Sequence, residues 1–280
     1  MLRRRLGRDR LILIPVAALV VTWPVLVAAA PAGAQSAIAA GAQSGVQYVA
    51  LGDSYSAGDG AGAYYGGSCG QSANAYPALW AAASHPAGYA AQTCDGATTS
   101  SVISSQLSAL SSATTLVSIT VGGNDVGFSS VMETCVLLPT SSCVSAVDKA
   151  ESEISADLPG ELDSVLAAIS ADAPNARVVV LDYPDLYDLS RFSSCLGLST
   201  TDRTDLNQGA NELDSQIQAA AARHGDVFAD VRAAFAGHEI CDSGSWLNSV
   251  NWLDLGASYH PNAAGQADGY LPAFTAAAAG

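Results

Sequence analysis

The sequence is poor in basic residues. It contains 11 Lys and Arg residues against 26 Asp and Glu residues, a formal net charge of −15 over 280 residues. Five of the 11 basic residues and one acidic residue lie in the first 34 positions, so the rest of the chain holds 6 basic and 25 acidic residues, a net charge of −19. Such a surface repels phosphate backbones and anionic membranes. The composition therefore argues against a nucleic-acid-binding protein.

Metal-ligand spacing is also absent. None of the six cysteines forms a C-x-x-C pair, and no histidine stands at zinc-finger spacing from them. We expect no metal and no cofactor. An even number of cysteines in an exported chain predicts three disulfides, for which 15 pairings exist. The sequential pairing closes the shortest loops and is favoured: Cys69 with Cys94, Cys135 with Cys143, and Cys195 with Cys241.

Residues 1–34 have the layout of a secretory signal peptide. Five arginines precede an apolar run, and Ala32-Gly33-Ala34 offers a small-residue cleavage site. The run is close to the roughly 20 residues that a membrane span needs, so a retained anchor is the alternative. Pro15 and Pro24 within the run favour cleavage. We expect a secreted, extracellular protein with no stable membrane insertion once the signal is removed.

The rest of the chain is expected to form one domain. Residues 35–45 are rich in Ala, Gly, Ser and Gln and predict a flexible start. Residues 46–280 contain no repeat and no internal linker, and their number suits a single large α/β domain.

Strand-like and helix-like segments alternate along this domain. Short apolar runs typical of buried strands cover residues 46–51, 115–121, 177–182 and 227–230. Helical spacing of apolar residues covers 74–83, 102–110, 154–169 and 206–220, with a break expected at Pro159-Gly160 and a last helix opened by Pro261. This alternation predicts a mainly parallel sheet covered on both faces, with ligands bound at the carboxyl ends of its strands.

Polar and small residues cluster at those strand ends. Gly52-Asp53-Ser54 follows the first strand, and Gly122-Gly123-Asn124-Asp125 follows the second. Cys94–Ser100 lies between them, and Ser258–Asn262 precedes the last helix. The set suits acyl transfer, in which a serine hydroxyl attacks a carbonyl once a neighbouring base takes its proton.

Ser54 and His260 are the candidate nucleophile and base. His260 is the best of the four histidines because a following proline fixes its turn, whereas the others lie in a loop, at a helix end and in a disulfide loop: His85, His224 and His238. The backbone N–H groups of Ser54 and Gly96 and the Asn124 amide are candidate donors to an oxyanion. The alternative interpretation makes Gly96 a turn residue and Asn124-Asp125 a helix N-cap.

The four segments together resemble the GDSL, or SGNH, hydrolase family. GDSYSAGDG resembles its nucleophile block, CDGATTS its glycine block, GGND its asparagine block and SYHPN its histidine block, all in the family order. The resemblance implies a three-layer α/β/α sandwich with a mainly parallel sheet of about five strands. It also implies Ser54 as nucleophile, His260 as base, and an oxyanion hole from Ser54, Gly96 and Asn124. Asp53 and Asp125 would then be structural.

One position departs from the family pattern. Many members carry an aspartate three residues before the histidine, where this chain has Ala257. A histidine base needs an acceptor on its other ring nitrogen to fix its tautomer. We expect a backbone carbonyl at Ala257 to serve, giving a Ser-His dyad; the Asp254 carboxylate is the alternative.

The signal peptide and six cysteines resemble the secreted bacterial lipase/esterase branch of the family, whose members have three disulfides. The predicted function is therefore a secreted, monomeric carboxylic ester hydrolase acting on ester or lipid substrates. A carbohydrate O-deacetylase, a phospholipase A and an inactive secreted binding protein are the alternatives. Eight apolar residues are candidates for an acyl groove: Tyr64, Tyr65, Trp80, Phe128, Val131, Met132, Leu137 and Leu138.

Overall fold

A computed structural model describes residues 45–65, 67–191 and 197–280 of the chain. Internal contacts divide the chain into residues 1–39 and residues 40–280, and all the described residues belong to the second unit. The predicted signal peptide, nearly all of the predicted flexible segment, and Cys195 lie outside the described residues.

The centre of the domain is a parallel sheet of five strands. The strands are β1 (Gln47–Gly52), β2 (Gly88–Ala91), β3 (Leu116–Thr120), β4 (Arg177–Leu181) and β5 (Val227–Ala229), in the spatial order β2-β1-β3-β4-β5. Every neighbouring pair is parallel. The central strands β1, β3 and β4 are buried almost throughout, which explains their continuous apolar runs.

Helices cover both faces of the sheet. They are α1 (Ser54–Ala57), α2 (Tyr76–Ser84), α3 (Thr99–Ser105), α4 (Phe128–Leu137), α5 (Thr140–Ala156), α6 (Leu158–Asp172), α7 (Thr200–His224), α8 (Arg232–Phe235), a π-helical turn (Gly265–Tyr270) and α9 (Leu271–Ala278). Helices α2, α8 and α9 pack with the π-helical turn, while α3, α5, α6 and α7 pack with one another in a second layer. This architecture confirms the predicted α/β/α fold. Within the described ranges, no helix has the length and apolar character needed to cross a membrane.

Two local predictions have different outcomes. The predicted break in the long helical region is confirmed, but it lies at Asp157 rather than at Pro159-Gly160. Helix α5 ends at Ala156, and α6 begins at Leu158 with a proline in its first turn. The prediction that Pro261 opens the last helix is wrong. Pro261 pairs with Leu247 in a short bridge, and the Asn262 carboxamide oxygen instead accepts hydrogen bonds from the N–H groups of the first helical turn.

Two of the three predicted disulfides join described residues. Cys69 is bonded to Cys94, and Cys135 is bonded to Cys143. The first ties the segment after α1 to the loop that contains Gly96, and the second joins α4 to α5. The third predicted pair includes Cys195, which lies outside the described residues, so that pairing stays a prediction.

A pair of buried carboxyl groups lies where β4 meets α7. Asp182 follows β4 and accepts a hydrogen bond from the Val231 N–H at 2.8 Å, while Asp214 on α7 accepts one from the Tyr183 N–H at 3.1 Å. The Arg232 Nε atom lies 3.5 Å and 3.7 Å from their second oxygens. Burial nevertheless dominates and raises the pKa of Asp182 to about 8, and it raises that of Asp214 as well. Both carboxyl groups therefore bind protons more tightly in the folded protein than in the unfolded chain.

This pair should make the free energy of unfolding depend on pH. Because the folded pKa lies above the unfolded value, the folded state binds more protons, and stability falls as pH rises from about 4 through 8. Asp214→Asn stays neutral and should show a smaller fall when chemical denaturation is measured at pH 5 and pH 8.5. The control Asp172→Asn changes an exposed carboxylate and should keep the wild-type slope. An unchanged slope in Asp214→Asn would contradict a raised pKa of Asp214 in the folded protein.

Candidate active site

The turn after β1 determines where Ser54 stands. Gly52 has a φ of 116°, and a Cβ atom at this position would lie 2.3 Å from the Thr120 carbonyl oxygen, so only glycine fits. The buried Gln106 side chain accepts a hydrogen bond from the Gly52 N–H at 2.7 Å and donates one to the Gly52 carbonyl at 2.9 Å. The chain therefore leaves the sheet in one fixed direction, and Ser54 becomes the first residue of α1.

Asp53 is the N-cap of that short helix. Its Oδ1 atom accepts hydrogen bonds from the Tyr55 N–H at 3.0 Å and the Thr120 hydroxyl at 2.6 Å, and its Oδ2 atom accepts one from the Tyr183 hydroxyl at 2.5 Å. Burial raises the pKa of Asp53 to about 6, although each of these hydrogen bonds acts to lower it. Asp53 thus contacts the framework around Ser54, as predicted for a structural residue.

Ser54 and His260 are in hydrogen-bond contact. The Ser54 Oγ atom lies 2.7 Å from His260 Nε2, and His260 Nδ1 lies 2.9 Å from the Ser258 carbonyl oxygen. A carbonyl oxygen can only accept, so the proton of the neutral imidazole belongs on Nδ1. Nε2 then has a free lone pair and accepts the Ser54 hydroxyl proton, which is the arrangement a serine nucleophile requires.

The histidine-orienting group is a backbone carbonyl, but the prediction of Ala257 for this role is wrong by one residue. The Ala257 carbonyl instead accepts a hydrogen bond from the backbone N–H of His260 at 3.4 Å, and the ring turns to Ser258. The Asp254 carboxylate, the alternative, caps a turn by accepting from the Ala257 N–H at 3.4 Å. It makes no hydrogen bond to the imidazole.

An unusual backbone conformation directs His260 toward Ser54. Tyr259 has a φ of 63°, in the left-handed region that non-glycine residues seldom occupy. The Tyr55 hydroxyl donates to the Tyr259 carbonyl at 2.7 Å, and the Tyr259 N–H donates to the Asn248 carbonyl at 2.9 Å. The Asn248 N–H in turn donates to the His260 carbonyl at 2.9 Å. The helix that begins at Ser54 therefore also supports the loop that carries the histidine.

The surroundings of His260 favour the neutral imidazole. Burial lowers the pKa of His260 below its ordinary value, while the Ser258 carbonyl and the charge of Asp95 act in the opposite direction. A neutral ring at physiological pH is the form that can accept a proton from Ser54.

Asn124 contacts the loop that contains Gly96. The Asn124 Nδ2 atom donates to the Ala97 carbonyl at 3.1 Å, which places the amide against the Gly96 loop and leaves its second N–H available. Gly96 has a φ of 70°, and a Cβ atom there would meet open space. In the described part of the chain, neither the Ser54 N–H nor the Gly96 N–H has a hydrogen-bond acceptor. These groups are available to an oxyanion.

The alternative interpretation of Asn124-Asp125 as a helix N-cap is wrong. The N-cap of α4 is Gly127, and no side chain caps that helix. Asp125 instead accepts hydrogen bonds from the Thr99 N–H at 3.0 Å and the Thr99 hydroxyl at 2.7 Å. Asn124 therefore joins the loop after β3 to the loop before α3, and Asp125 joins it to the first residue of α3.

Comparison with known proteins identifies the family. A sequence model of the GDSL-like lipase/acylhydrolase family matches residues 50–267. The chain belongs to the GDSL-like lipase/acylhydrolase family. Its sequence is 51% identical to Lipase 1 of Streptomyces coelicolor over 252 residues, which cover 89% of this chain and 93% of that protein. Membership confirms the predicted reaction class: the chain is a carboxylic ester hydrolase.

Two solved structures share both the fold and much of the sequence of this GDSL-like hydrolase. The phospholipase A1 of Streptomyces albidoflavus NA297 has a TM-score of 0.82 and 49% identity, with 84% of this chain and 100% of that chain covered. The extracellular lipase of Streptomyces rimosus has a TM-score of 0.81 and 46% identity, with 83% and 99% covered.

A deep apolar pocket opens beside Ser54 in this GDSL-like hydrolase. Its polar end contains Asp53, Ser54 and Asn124. The rest is lined by the loop after β3, by α4, α5 and α7, and by the segment after β4, through Val126, Phe128, Val131, Val147, Ala150, Ile154, Tyr183, Pro184, Leu186, Leu206, Gly209, Ala210 and Leu213. We call this the deep pocket. It provides an apolar compartment directly behind the candidate nucleophile.

A second groove shares Phe128 with the deep pocket and includes His260 in its lining. Its apolar lining comes from α4 and from the loop before His260: Phe128, Met132, Val136, Leu137, Val250, Trp252, Leu255 and Tyr259. We call this the His260 groove. Of the residues predicted for an acyl groove, Phe128 and Val131 line the deep pocket and Met132 and Leu137 line the His260 groove, whereas Trp80 is buried in the core.

Several residues that build the site were missed from the sequence. Tyr183 donates to Asp53 and accepts from the Gly123 N–H at 3.3 Å, and Gln106 fixes the Gly52 turn. Tyr183 follows β4 as part of Tyr183-Pro184, so the end of a third buried strand was the available signal. No sequence signal marks Gln106. Within the described ranges, no group of three or more His, Cys, Asp or Glu residues could hold a metal ion.

The orientation of His260 predicts a small effect of Asp254→Asn. The ring Nδ1–H donates to the Ser258 carbonyl, so loss of the Asp254 charge should change kcat by less than about threefold, a barrier change below about 1 kcal/mol. The acid limb of the kcat/KM profile should stay below the ordinary histidine pKa. Hydrolysis of a dissolved p-nitrophenyl ester across pH 4–9 measures both. A hundredfold fall in kcat would identify Asp254 as the positioning residue instead.

Proposed function

We propose that this chain is a secreted lipolytic esterase that works through an acyl-enzyme intermediate on Ser54. The observation that carries this proposal is the 2.7 Å contact between Ser54 Oγ and the unprotonated Nε2 of His260. The Ser258 carbonyl fixes that tautomer at 2.9 Å. A serine and a histidine in this relation, next to free backbone and amide donors, suit the hydrolysis of acyl esters.

In the proposed mechanism, Ser54 Oγ attacks the ester carbonyl carbon while His260 takes the hydroxyl proton. The N–H groups of Ser54, Gly96 and Asn124 receive the oxyanion of the tetrahedral intermediate. His260 then gives its proton to the leaving alcohol as the C–O bond breaks, which leaves the acyl group on Ser54. Water attacks the acyl carbon with His260 again as base, and the acid is released with Ser54 restored.

The deep pocket supports an acyl chain as the group transferred to Ser54. Its lining beyond the polar end is apolar, and it starts at Ser54 and Asn124, where the ester carbonyl would lie. An acetyl group has one methyl and would leave most of these walls in contact with water. The proposal therefore favours longer acyl esters over the O-acetyl groups of carbohydrates.

The names of the relatives support the same substrate class. Lipase 1 of Streptomyces coelicolor, the extracellular lipase of Streptomyces rimosus and the phospholipase A1 of Streptomyces albidoflavus all act on lipid acyl esters by name. We propose that residues 1–34 direct secretion, that residues 46–280 form the catalytic domain and that this domain acts as a monomer. The disulfides suit an oxidising compartment.

An active-site label separates an enzyme from an inactive binding protein. A fluorophosphonate should bond to Ser54 Oγ with loss of fluoride, and Ser54→Ala should lose both this mass shift and, by roughly 10,000-fold or more, the esterase rate. Ser56→Ala is the matched control, because the Ser56 hydroxyl is held by Tyr76 and Thr120, and it should still be labelled. A wild-type protein that takes no label would favour the binding protein.

Filling the deep pocket should shorten the preferred acyl chain. Ala210 on α7 lines the pocket, and Ala210→Leu adds three carbon atoms to its wall. The ratio of kcat/KM for p-nitrophenyl hexanoate to that for the acetate should fall at least about tenfold, since each excluded methylene forfeits about 0.8 kcal/mol. Gln218→Leu, on the exposed side of the same helix, is the control. A wild-type preference for acetate would overturn the lipolytic assignment.

A further inference from the structure

Five large apolar side chains stand exposed at the mouth of the site. Leu137 and Leu138 end α4 with 56% and 53% of their surface exposed, and Trp252, Leu253 and Leu255 follow on the loop before His260 with 66%, 99% and 64%. We call these five residues the rim patch. Single exposed apolar residues are ordinary on soluble proteins, whereas a cluster marks a surface that contacts something.

The rim patch is continuous with the candidate active site. Leu137, Trp252 and Leu255 line the His260 groove from its two sides, and His260 lies in the same groove. Leu138 and Leu253 follow Leu137 and Trp252 in the chain, are exposed and do not line the groove. Whatever covers these side chains would therefore lie directly over the entrance to the dyad.

Hydrogen bonds hold the exposed loop in place. The Leu253 N–H donates to Asn251 Oδ1 at 3.1 Å, and the Asn251 N–H donates to Ser258 Oγ at 2.9 Å. The carbonyl of the same Ser258 orients the His260 ring. The segment that exposes Leu253 is thus fixed to the residue that orients the candidate base, so its apolar side chains are presented in a defined position.

The charges around the patch select the kind of surface that could cover it. Asp95 and Glu133 lie in the His260 groove, and Asp254 follows Leu253 in the chain. Neither α4 nor residues 246–280 contain any Lys or Arg. An anionic bilayer would be repelled by three carboxyl groups with no cation to offset them, whereas a lipid surface without net charge would gain the apolar contacts without that repulsion.

We propose that the rim patch docks this chain on the surface of aggregated lipid that carries no net charge, with the His260 groove opening onto that surface. The proposal rests on the proposed esterase function, because the groove must receive an ester from the lipid. Transfer of Trp and Leu side chains from water into the headgroup region is favourable, and an amphipathic tryptophan ring suits that boundary.

Vesicle binding tests the proposal directly. In a Ser54→Ala background, which removes hydrolysis, the protein should co-sediment with phosphatidylcholine vesicles and less with phosphatidylglycerol vesicles. The added pair Leu138→Asp and Leu253→Asp should weaken phosphatidylcholine binding at least about tenfold, because each carboxylate replaces a side chain that enters the lipid. Ile103→Asp, an exposed aliphatic residue on α3, should leave binding unchanged.

Activity measurements separate docking from chemistry. With Ser54 intact, the double variant should hydrolyse dissolved p-nitrophenyl butyrate at a rate within about twofold of wild type, because neither leucine lines the groove. Its rate on phosphatidylcholine vesicles should fall at least about tenfold, because docking is lost. If the double variant loses activity on the dissolved ester, the single variant Leu253→Asp takes its place in the same two assays.

Three results would overturn the docking proposal. The wild-type chain could fail to bind phosphatidylcholine vesicles, or the double variant could bind them as tightly as wild type. Light scattering could also show that the wild-type chain is a dimer and that the double variant is a monomer. The last result would assign the patch to a second copy of this chain. A wild-type chain that turns over no dissolved ester would contradict the proposed function instead.

Discussion

The hydrogen bonds of the Asp53 carboxylate hold the site together. One side chain joins the end of β1 to the Thr120 hydroxyl at the end of β3, to the first turn of α1 and to the Tyr183 hydroxyl after β4. Burying a carboxyl group is costly unless its oxygens are bonded, and here both oxygens accept hydrogen bonds. Loss of this group would leave several buried donors without an acceptor, so three strand ends depend on it.

From Asp53 the contacts continue to the groups that would receive an oxyanion. Tyr183 accepts from the Gly123 N–H, the next residue is Asn124, and the Asn124 amide contacts the carbonyl beside Gly96. On the other side, Tyr55 extends from α1 to the Tyr259 carbonyl and so supports the histidine loop. The positions of Ser54, the candidate oxyanion donors and the candidate base are therefore set by one connected group of polar contacts around the carboxyl ends of β1, β3 and β4.

The sheet could be predicted because its central strands are buried on both faces and consist mainly of apolar and β-branched residues. The edge strand β2 was missed because Gly88–Ala91 contains no β-branched residue and is only partly buried. The four sequence blocks indicated where the site lies, and the 2.7 Å contact of Ser54 with His260 agrees with them. The orienting carbonyl was missed by one residue because the left-handed backbone of Tyr259, invisible in sequence, turns the ring away from Ala257.

The group that orients His260 is a carbonyl rather than a carboxylate, and this affects how activity would respond to acid in a medium with little buffer. Hydrolysis of each ester frees a carboxylic acid, which ionises and acidifies the medium as turnover proceeds. A carbonyl has no titration of its own, so the orienting contact persists as the medium becomes more acidic. Burial keeps the histidine pKa low, and the proposed base thus stays unprotonated for longer. A carbonyl behind the candidate base therefore favours activity at a lower pH than a carboxylate, which would raise the histidine pKa.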